Sequence, residues 1–362
     1  MSKSSTKRER GQFYTVNNEY ILDGFRIPND VSCIIEPFAG QADLVGWTQS
    51  THPDHTFRFE CYDIDPKHPM VQLRDTLRDP PDYRGKYILT NPPYLARNKT
   101  ADKEVFDQYN TNDLYKCFIH SISQPSRLAL GGIIIIPAGF FFSPRSIDTK
   151  CRDEFLRNYR ILSVRYFEEQ VFPDTPTTVV AIQFEMQSIS SRADSDNRRT
   201  QQSIPWTRMP SGETRTFQVF QRDGWIIGGE VYNLPVSEGV RIRRYVEGES
   251  MRDGEVLSNL TLTALDSGSQ SGRIRLDYRP DYVYPGKDTS RSYATLCFEG
   301  IYLTPEEQMR IAERFNRFIE EKREETWSLF LPQYRESKEY ARKRIPFELA
   351  YRIVSYLLNT AV

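Results

Sequence analysis

Asn91-Pro92-Pro93-Tyr94 follows directly on the apolar run Tyr87-Ile88-Leu89 and Thr90. Two adjacent prolines lack backbone N–H groups and fix φ, so a central strand cannot run through them. On one reading these residues only terminate a strand. On another they form a tool. An exocyclic amine on a nucleobase is a poor nucleophile, because its lone pair is delocalised into the ring. A site that accepts hydrogen bonds from both amine hydrogens draws the nitrogen toward tetrahedral geometry and localises that pair. The Asn91 side-chain oxygen is one acceptor, and the Pro92 carbonyl, held rigid by the prolines, is a second. Tyr94 offers a ring face against which a base could stack. Such chemistry needs no metal and no strongly shifted pKa.

Two other strand ends carry similar signatures. Ile35-Glu36-Pro37-Phe38-Ala39-Gly40 closes a short apolar run, and its small residues would let a ligand approach the backbone closely. It reads equally well as a plain turn between a strand and a helix. Asp63 follows Phe57–Tyr62, where a carboxylate could accept hydrogen bonds from ribose hydroxyls. In Asp63-Ile64-Asp65-Pro66 the competing reading is a helix cap, with Pro66 in the first turn. If Asp65 caps, Asp63 can take the ribose and Ile64 can lie against an adenine face.

These ends need a scaffold, and strand-like and helix-like segments alternate through the first half. Cys33–Ile35, Phe57–Tyr62, Tyr87–Thr90, Ile133–Ile136, Ile161–Phe167 and Thr178–Phe184 read as strands. Asp113 to Leu130 has helical periodicity and runs into Gly131-Gly132, a helix stop. The expected fold is α/β, a Rossmann-like, mostly parallel sheet with helices on both faces. After Phe184 the composition shifts. Ser188–Ser203 is polar and reads as a linker or long loop. Short β-type pieces follow (Thr216–Phe220, Trp225–Ile227, Arg273–Tyr278), then a charged helix over Pro305–Glu325 capped by Thr304 and a last helix over Phe347–Leu358. This gives a first domain over 1–186 and a second, α+β domain over 187–362.

The bulk composition narrows the class. The 362 residues hold 48 basic and 49 acidic side chains, so no global field draws the chain to nucleic acid. Five scattered cysteines without a CxxC pair argue against a disulfide scaffold and a zinc site, and the four histidines form no HExxH. No metal is expected. The polar, basic N-terminus has no apolar core, and the most apolar run, Gly131–Phe142, is too short to span a bilayer. The expectation is a cytoplasmic or nucleoid-associated protein with no membrane partner.

Taken in order, these features resemble the S-adenosylmethionine-dependent amino-group DNA methyltransferases of the gamma class, over about residues 11–186. Gly11-Gln12-Phe13-Tyr14-Thr15 resembles the N-terminal cofactor motif, which implies that Tyr14 and Thr15 hold the methionine carboxylate. Glu36, Pro37, Ala39 and Gly40 resemble the first sheet motif, around the methionine; Ala42 stands where the family's second glycine usually lies. The resemblance assigns Asp63 to the ribose, Ile64 to the cofactor's adenine and Asp75 to the adenine amine, with Asp79 as competitor. Asn91, Pro92, Pro93 and Tyr94 match the catalytic tetrapeptide, in which Asn91 and Pro93 also border the cofactor. Asp113–Phe118 resembles the helix motif that follows. Phe172, in Val171-Phe172-Pro173, would supply a second ring to the base held by Tyr94.

The implied function is site-specific methylation of the N6 amine of an adenine flipped out of double-stranded DNA. A monomer would act on the DNA, with a cognate restriction endonuclease at the same site entering as partner through the resemblance. The second half would read the target. Arg241-Ile242-Arg243-Arg244-Tyr245, Arg273-Ile274-Arg275, Tyr278-Arg279, Lys287, Arg291 and Arg342-Lys343-Arg344 interleave cations with aromatics, as phosphate and guanine contacts require. Each alone also reads as a solvated face. Three other readings compete. Protein glutamine methyltransferases use the same tetrapeptide behind a helical domain, whereas this chain has about thirty residues before its first strand. Cytosine N4 methyltransferases more often carry serine at the position of Asn91. A non-catalytic DNA-binding protein on the same fold would not need Asn91, Pro92, Tyr94 and Asp63 intact.

Overall fold

A computed structural model describes residues 17–173, 175, 177–187, 200–266, 273–286, 290–334 and 342–360. The chain divides into two compact units, the first running to Trp225 and the second beginning at Ile226.

The first unit is built on a nine-stranded sheet in the order β3-β2-β1-β4-β5-β7-β6-β8-β9. Its strands are β1 (Cys33–Glu36), β2 (Arg58–Asp63), β3 (Val71–Leu73), β4 (Tyr87–Thr90), β5 (Gly131–Pro137), β6 (Tyr159–Phe167), β7 (Val179–Met186), β8 (Gln201–Met209) and β9 (Glu213–Phe220). β1 to β5 pair in parallel, while β7 runs antiparallel to both β5 and β6. β1 and β4 are buried at every position and β5 up to Ile136. Both faces of the central sheet are therefore covered, which explains why these strands read as continuous apolar runs rather than alternating ones. The expected α/β class holds.

From β1 the chain moves outward through β2 to β3, then crosses back to lay β4 on the other side of β1. That reversal opens a crevice at the carboxyl ends of β1 and β4, where open α/β sheets bind ligands. The surrounding helices are α1 (Asn18–Leu22), α2 (Asp43–Thr51), α3 (Glu104–Gln108), α4 (Leu114–Ile122), α5 (Gly139–Phe142) and α6 (Ser146–Asn158).

Three details differ from the sequence reading. α4 stops at Ile122, and Gly131-Gly132 open β5 instead of ending a helix. Their role is steric: a Cβ on Gly132 would lie 2.6 Å from the Ile88 carbonyl oxygen and 2.9 Å from the Phe184 ring. The segment Trp225–Ile227 is a turn, with Trp225 at φ +61°. β8 and β9 extend the first sheet, with β8 parallel to β6. The boundary expected at 186/187 thus falls between β7 and β8, and the linker expected over 188–203 lies outside the described residues up to 199.

The second unit has a four-stranded antiparallel sheet ordered β10-β13-β11-β12, from β10 (Arg241–Tyr245), β11 (Glu255–Thr263), β12 (Arg275–Tyr278) and β13 (Tyr293–Glu299). Leu260, Leu262, Leu276, Leu296 and Phe298 form a core with Phe315 and Ile319 of α7 (Pro305–Thr326) and Ile353 and Val354 of α8 (Phe347–Asn359). The Thr304 cap is present as a capping box, with its side chain accepting from the Glu307 N–H and the Glu307 carboxylate accepting from the Thr304 N–H. Among the described residues no helix is long and apolar enough to cross a membrane.

Gly132→Ala should lower stability by about 3 kcal/mol, the upper range for overpacking a tight interior, because backbone on one side leaves the new methyl no room. Denaturant unfolding of the two proteins would measure it.

Candidate active site

The three strand ends converge. β1 ends on Glu36, and the turn behind it is tied to the end of β2. Asp63 accepts the Gly40 N–H at 2.9 Å on one oxygen and the Asp65 N–H at 2.7 Å on the other. Ala39 N donates to the Tyr62 carbonyl at 2.8 Å, and the Thr76 hydroxyl donates to the Pro37 carbonyl at 2.9 Å. Asp65 does not cap a helix, since no helix follows it. Asp63, which also lines the cavity, instead closes a local turn and fixes the glycine loop. An ionised carboxylate can accept more bonds than these two.

Gly40 has φ +51° and Ala42 φ +64°. The position at which the family favours glycine therefore adopts the left-handed conformation here as well, and alanine bears the strain.

A cavity of about 270 Å³ lies over these strand ends. Of the residues named from sequence, Gly40, Asp63, Ile64, Asp75, Asn91 and Pro93 line it. Ile64 is 52% exposed, an uncovered apolar face beside two carboxylates. Asp75 accepts the Leu77 and Arg78 N–H groups at 3.2 Å each and pairs with Arg78. Its competitor Asp79 pairs with Arg74 at 3.1 Å and does not line the cavity. Sequence reasoning missed the far wall, Thr100, Asp102, Val105 and Phe106, just before and within α3. Arg78 joins this wall to the Asp75 turn by binding Asp102 at 2.6 Å and Glu104. No residue type in this stretch marks it as part of a site.

Glu36 lies behind the cavity lining. It is 2% exposed, and its Oε2 has no hydrogen-bond partner. Burial raises its carboxyl well above the usual range, and Asp43 and Asp63 add to the rise. Three acids thus crowd one end of the loop, an environment suited to a cationic ligand. S-adenosylmethionine, with its sulfonium and ammonium charges, fits this donor set.

At the end of β4, Asn91 is 9% exposed and borders the cavity. Tyr94 is buried, edge-on to Tyr115 at 6.4 Å. Its hydroxyl lies 2.8 Å from the Ile135 carbonyl and also meets the Asn91 side-chain amide. Burial holds this phenol far above its ordinary pKa, followed by a contribution from Asp113. Pro37, Ala39, Pro92 and Tyr94 do not line the cavity. Phe172 is 1% exposed, in a bend closed by the Gln170 side chain, and is likewise not part of the lining. The two rings expected to hold a base are therefore buried and do not line this cavity. Tyr14 and Thr15 lie outside the described residues.

In the helix motif, Leu114 reaches the cavity. Lys116 is buried and pairs with buried Asp148, with Asn112 Oδ1 at 2.8 Å from its Nζ. Burial opposes ionisation of Asp148, but Lys116 and the Ser143 hydroxyl outweigh it and lower its pKa. This pair sits behind Tyr115, over whose ring the Lys116 ammonium lies at 5.6 Å.

Residues 84–172 match the Eco57I restriction-modification methylase family, a stretch that includes Asn91 to Tyr94 and Phe172. No curated protein matches the chain. Similar solved structures include a modification subunit assigned to a type I restriction enzyme from Vibrio vulnificus, at 16% identity over 56% of this chain and 48% of that one, TM-score 0.40. Another belongs to a type I restriction-modification system, at 17% identity over 57% and 47%, TM-score 0.41. A third is a type I methyltransferase subunit from Streptococcus thermophilus, at 15% identity over 55% and 48%, TM-score 0.38. The chain spans about half the length of each. The family match bears out the resemblance to S-adenosylmethionine-dependent DNA methyltransferases drawn from the sequence.

Two outcomes are expected of the β1 loop. Ala42→Gly should stabilise the protein by about 1 kcal/mol, because glycine adopts φ +64° without the Cβ clash. A cation bound near Glu36 favours its ionised form, so binding should release a proton. Affinity for S-adenosylmethionine should then rise with pH until Glu36 is ionised in the free protein. Glu36→Gln should flatten that dependence. Calorimetry in buffers of differing ionisation enthalpy reads the proton directly, and zero release by the unaltered protein would rule the coupling out.

Proposed function

We propose that the chain is a DNA adenine methyltransferase, which transfers a methyl group from S-adenosylmethionine to the N6 amine of an adenine in double-stranded DNA. The observation that carries this reading is the meeting of Gly40, Asp63, Asp75 and Asn91, from separate loops, on one cavity at the carboxyl ends of β1, β2, β3 and β4. The family match over 84–172 supports the same class.

S-adenosylmethionine supplies an electrophilic methyl on a sulfonium. The protein's part is to bind, orient and localise a lone pair. Asp63 takes the ribose hydroxyls, Ile64 covers an adenine face and Asp75 accepts from the adenine amine. Glu36 and the Pro37–Gly40 loop face the methionine end, whose carboxylate Tyr14 and Thr15 hold. Asn91 Oδ1 and the Pro92 carbonyl accept the two hydrogens of the target amine, and Pro93 packs beside the cofactor. No acid or base of shifted pKa is required for attack, because the electrophile is already charged.

Inside a duplex the N6 amine is paired and stacked, so the target base must be extruded. Tyr94 and Phe172 are the rings proposed to hold it. Both are buried in this structure, so capture of the base would include their uncovering. The second unit is proposed to read the target as a monomer on DNA, alongside a cognate restriction endonuclease acting at the same site. Its arginines are not equally available. Arg243 is bound by Glu255 and Glu249, Arg273 by Glu320, and Arg275 and Arg279 share Asp277. Arg291 is exposed, and Lys287 lies outside the described residues.

The test is transfer of tritium from labelled S-adenosylmethionine to unmodified duplex DNA, with protein as the counter-substrate. Label in DNA at N6-methyladenine is expected, and label in protein glutamine would overturn the reading. Asn91→Ala should reduce transfer at least about 10³-fold, comparable to losing a key transition-state contact, with cofactor affinity retained. Transfer by that variant at the unaltered rate would remove Asn91 from the chemistry.

A further inference from the structure

One guanidinium serves three carboxylates on the wall of the cavity. Arg78 directs Nε to Asp75 at 3.2 Å, Nη2 to Asp102 at 2.6 Å and Nη1 to Glu104. Asp75 belongs to the turn that follows β3, whereas Asp102 precedes α3 and Glu104 opens it. Asp75, Arg78 and Asp102 line the cavity. The same two walls meet a second time, where the Tyr109 hydroxyl donates to the Leu77 carbonyl at 2.9 Å.

Asp75 is engaged on both oxygens. Oδ1 accepts the Leu77 and Arg78 N–H groups at 3.2 Å each, which fills both of its acceptor positions. These bonds lie at the long end of the normal range, and the Arg78 side chain adds Nε beside Oδ2. A carboxylate has about four acceptor positions, so the one left for a ligand is on Oδ2. Its direction is set by Arg78, which is itself anchored across the cavity. In the parallel ladder Asp63 lies opposite Leu73, so Asp75 stands just beyond the strand ends that present Ile64. An apolar face and a charged acceptor on one cavity suit a flat ring edged with an N–H donor.

We propose that Arg78 is a positioning residue, whose guanidinium, gripped by Asp102 and Glu104, aims the free acceptor of Asp75 Oδ2 at the amine of the cofactor's adenine, so that the cavity selects a 6-amino purine. The role rests on the reading of this cavity as the S-adenosylmethionine site. Without Arg78, three like charges would share the wall and the Asp75 oxygen would turn toward water. The wall itself would stay, because neither the Tyr109 bond nor the Asp79 N–H bond to the Asp75 carbonyl involves the guanidinium.

Calorimetric binding of two ligands tests it: S-adenosylhomocysteine, and the analogue with hydrogen in place of its 6-amino group. Neither can donate a methyl group, so the readout is independent of transfer. The unaltered protein is expected to prefer S-adenosylhomocysteine at least about tenfold (~1.4 kcal/mol), in keeping with one hydrogen bond to a charged acceptor. In Arg78→Ala the preference should fall below about threefold, with affinity for the analogue within about threefold of the unaltered protein. Structural damage alone would weaken both ligands together, and that result, or an unchanged preference, overturns the proposal. Arg78→Lys keeps the charge but offers one flexible ammonium to three acids. Its preference should also fall below about threefold, and a full preference there would show that charge suffices and overturn the role of the fork. Tight S-adenosylhomocysteine binding by the unaltered protein, with the preference intact in both variants, removes the role of Arg78 alone. If the unaltered protein binds neither ligand, the cofactor reading of the cavity falls and this role falls with it.

Discussion

The site hangs on the Asp63 carboxylate. Its two oxygens hold the N–H of Gly40 from the β1 loop and the N–H of Asp65 from its own turn. These are charge-assisted bonds to backbone, nearly dry at 5% exposure of the residue, and hence among the stronger single contacts a protein makes. They lock the loop after β1 to the end of β2, so two elements that the sheet only aligns become one rigid rim. Remove the carboxylate and the glycine loop loses its tie at Gly40, keeping only the Ala39–Tyr62 and Thr76–Pro37 bonds to hold Ala42 in its left-handed conformation. A group commonly thought of as a ligand contact is here first a structural tie.

The opposite rim obeys a different constraint, the missing hydrogen of Pro92. A strand that simply frayed at this point would leave its last residues mobile. Two prolines instead stop the ladder at one defined residue, and the Ile135 carbonyl thereby exposed is taken up by Tyr94. Behind Tyr94 stands Tyr115, and behind Tyr115 the buried pair of Lys116 and Asp148. Breaking such a pair on one side strands an uncompensated charge in the interior, which costs several kcal/mol. The tetrapeptide is therefore backed by elements that resist displacement.

What the sequence disclosed follows from the kind of signal each residue carries. Asp63 and Asn91 were legible because each closes or follows a short strand, and such endings recur at fixed places in open α/β sheets, whereas Asp75 came only through the resemblance, the strand Val71–Leu73 before it being short and largely exposed. The Thr304 cap was legible because its partner Glu307 lies within one turn. The 100–106 wall was not, since its contribution depends on where the chain folds back. Lys116 and Asp148 are 32 positions apart, and neither hints at the other. Gly131-Gly132 misled because a glycine pair stops helices by conformation but opened β5 by size, and only the neighbours Ile88 and Phe184 distinguish the two. Tyr94 and Phe172, expected to hold a base, are packed in the interior, where burial of large aromatic rings is favoured.

The last strands of the first sheet bear on how such a unit could be passed from one protein to another. Trp206 of β8 is fully buried among Phe141, Phe142 and Tyr166. The chain beyond β9 is fastened by Arg152, whose Nε donates to the Gly224 carbonyl at 2.8 Å, and by Asp153, which accepts from Gln221 and Trp225. A break after Met186 would strip β6 of β8, one of its two partners, and leave that edge as a ready template for foreign strands. A break after Trp225 would leave every ladder of the nine-stranded sheet closed. In gene rearrangement, the second seam is the one along which the first unit could be cut and rejoined to a different segment with its sheet intact.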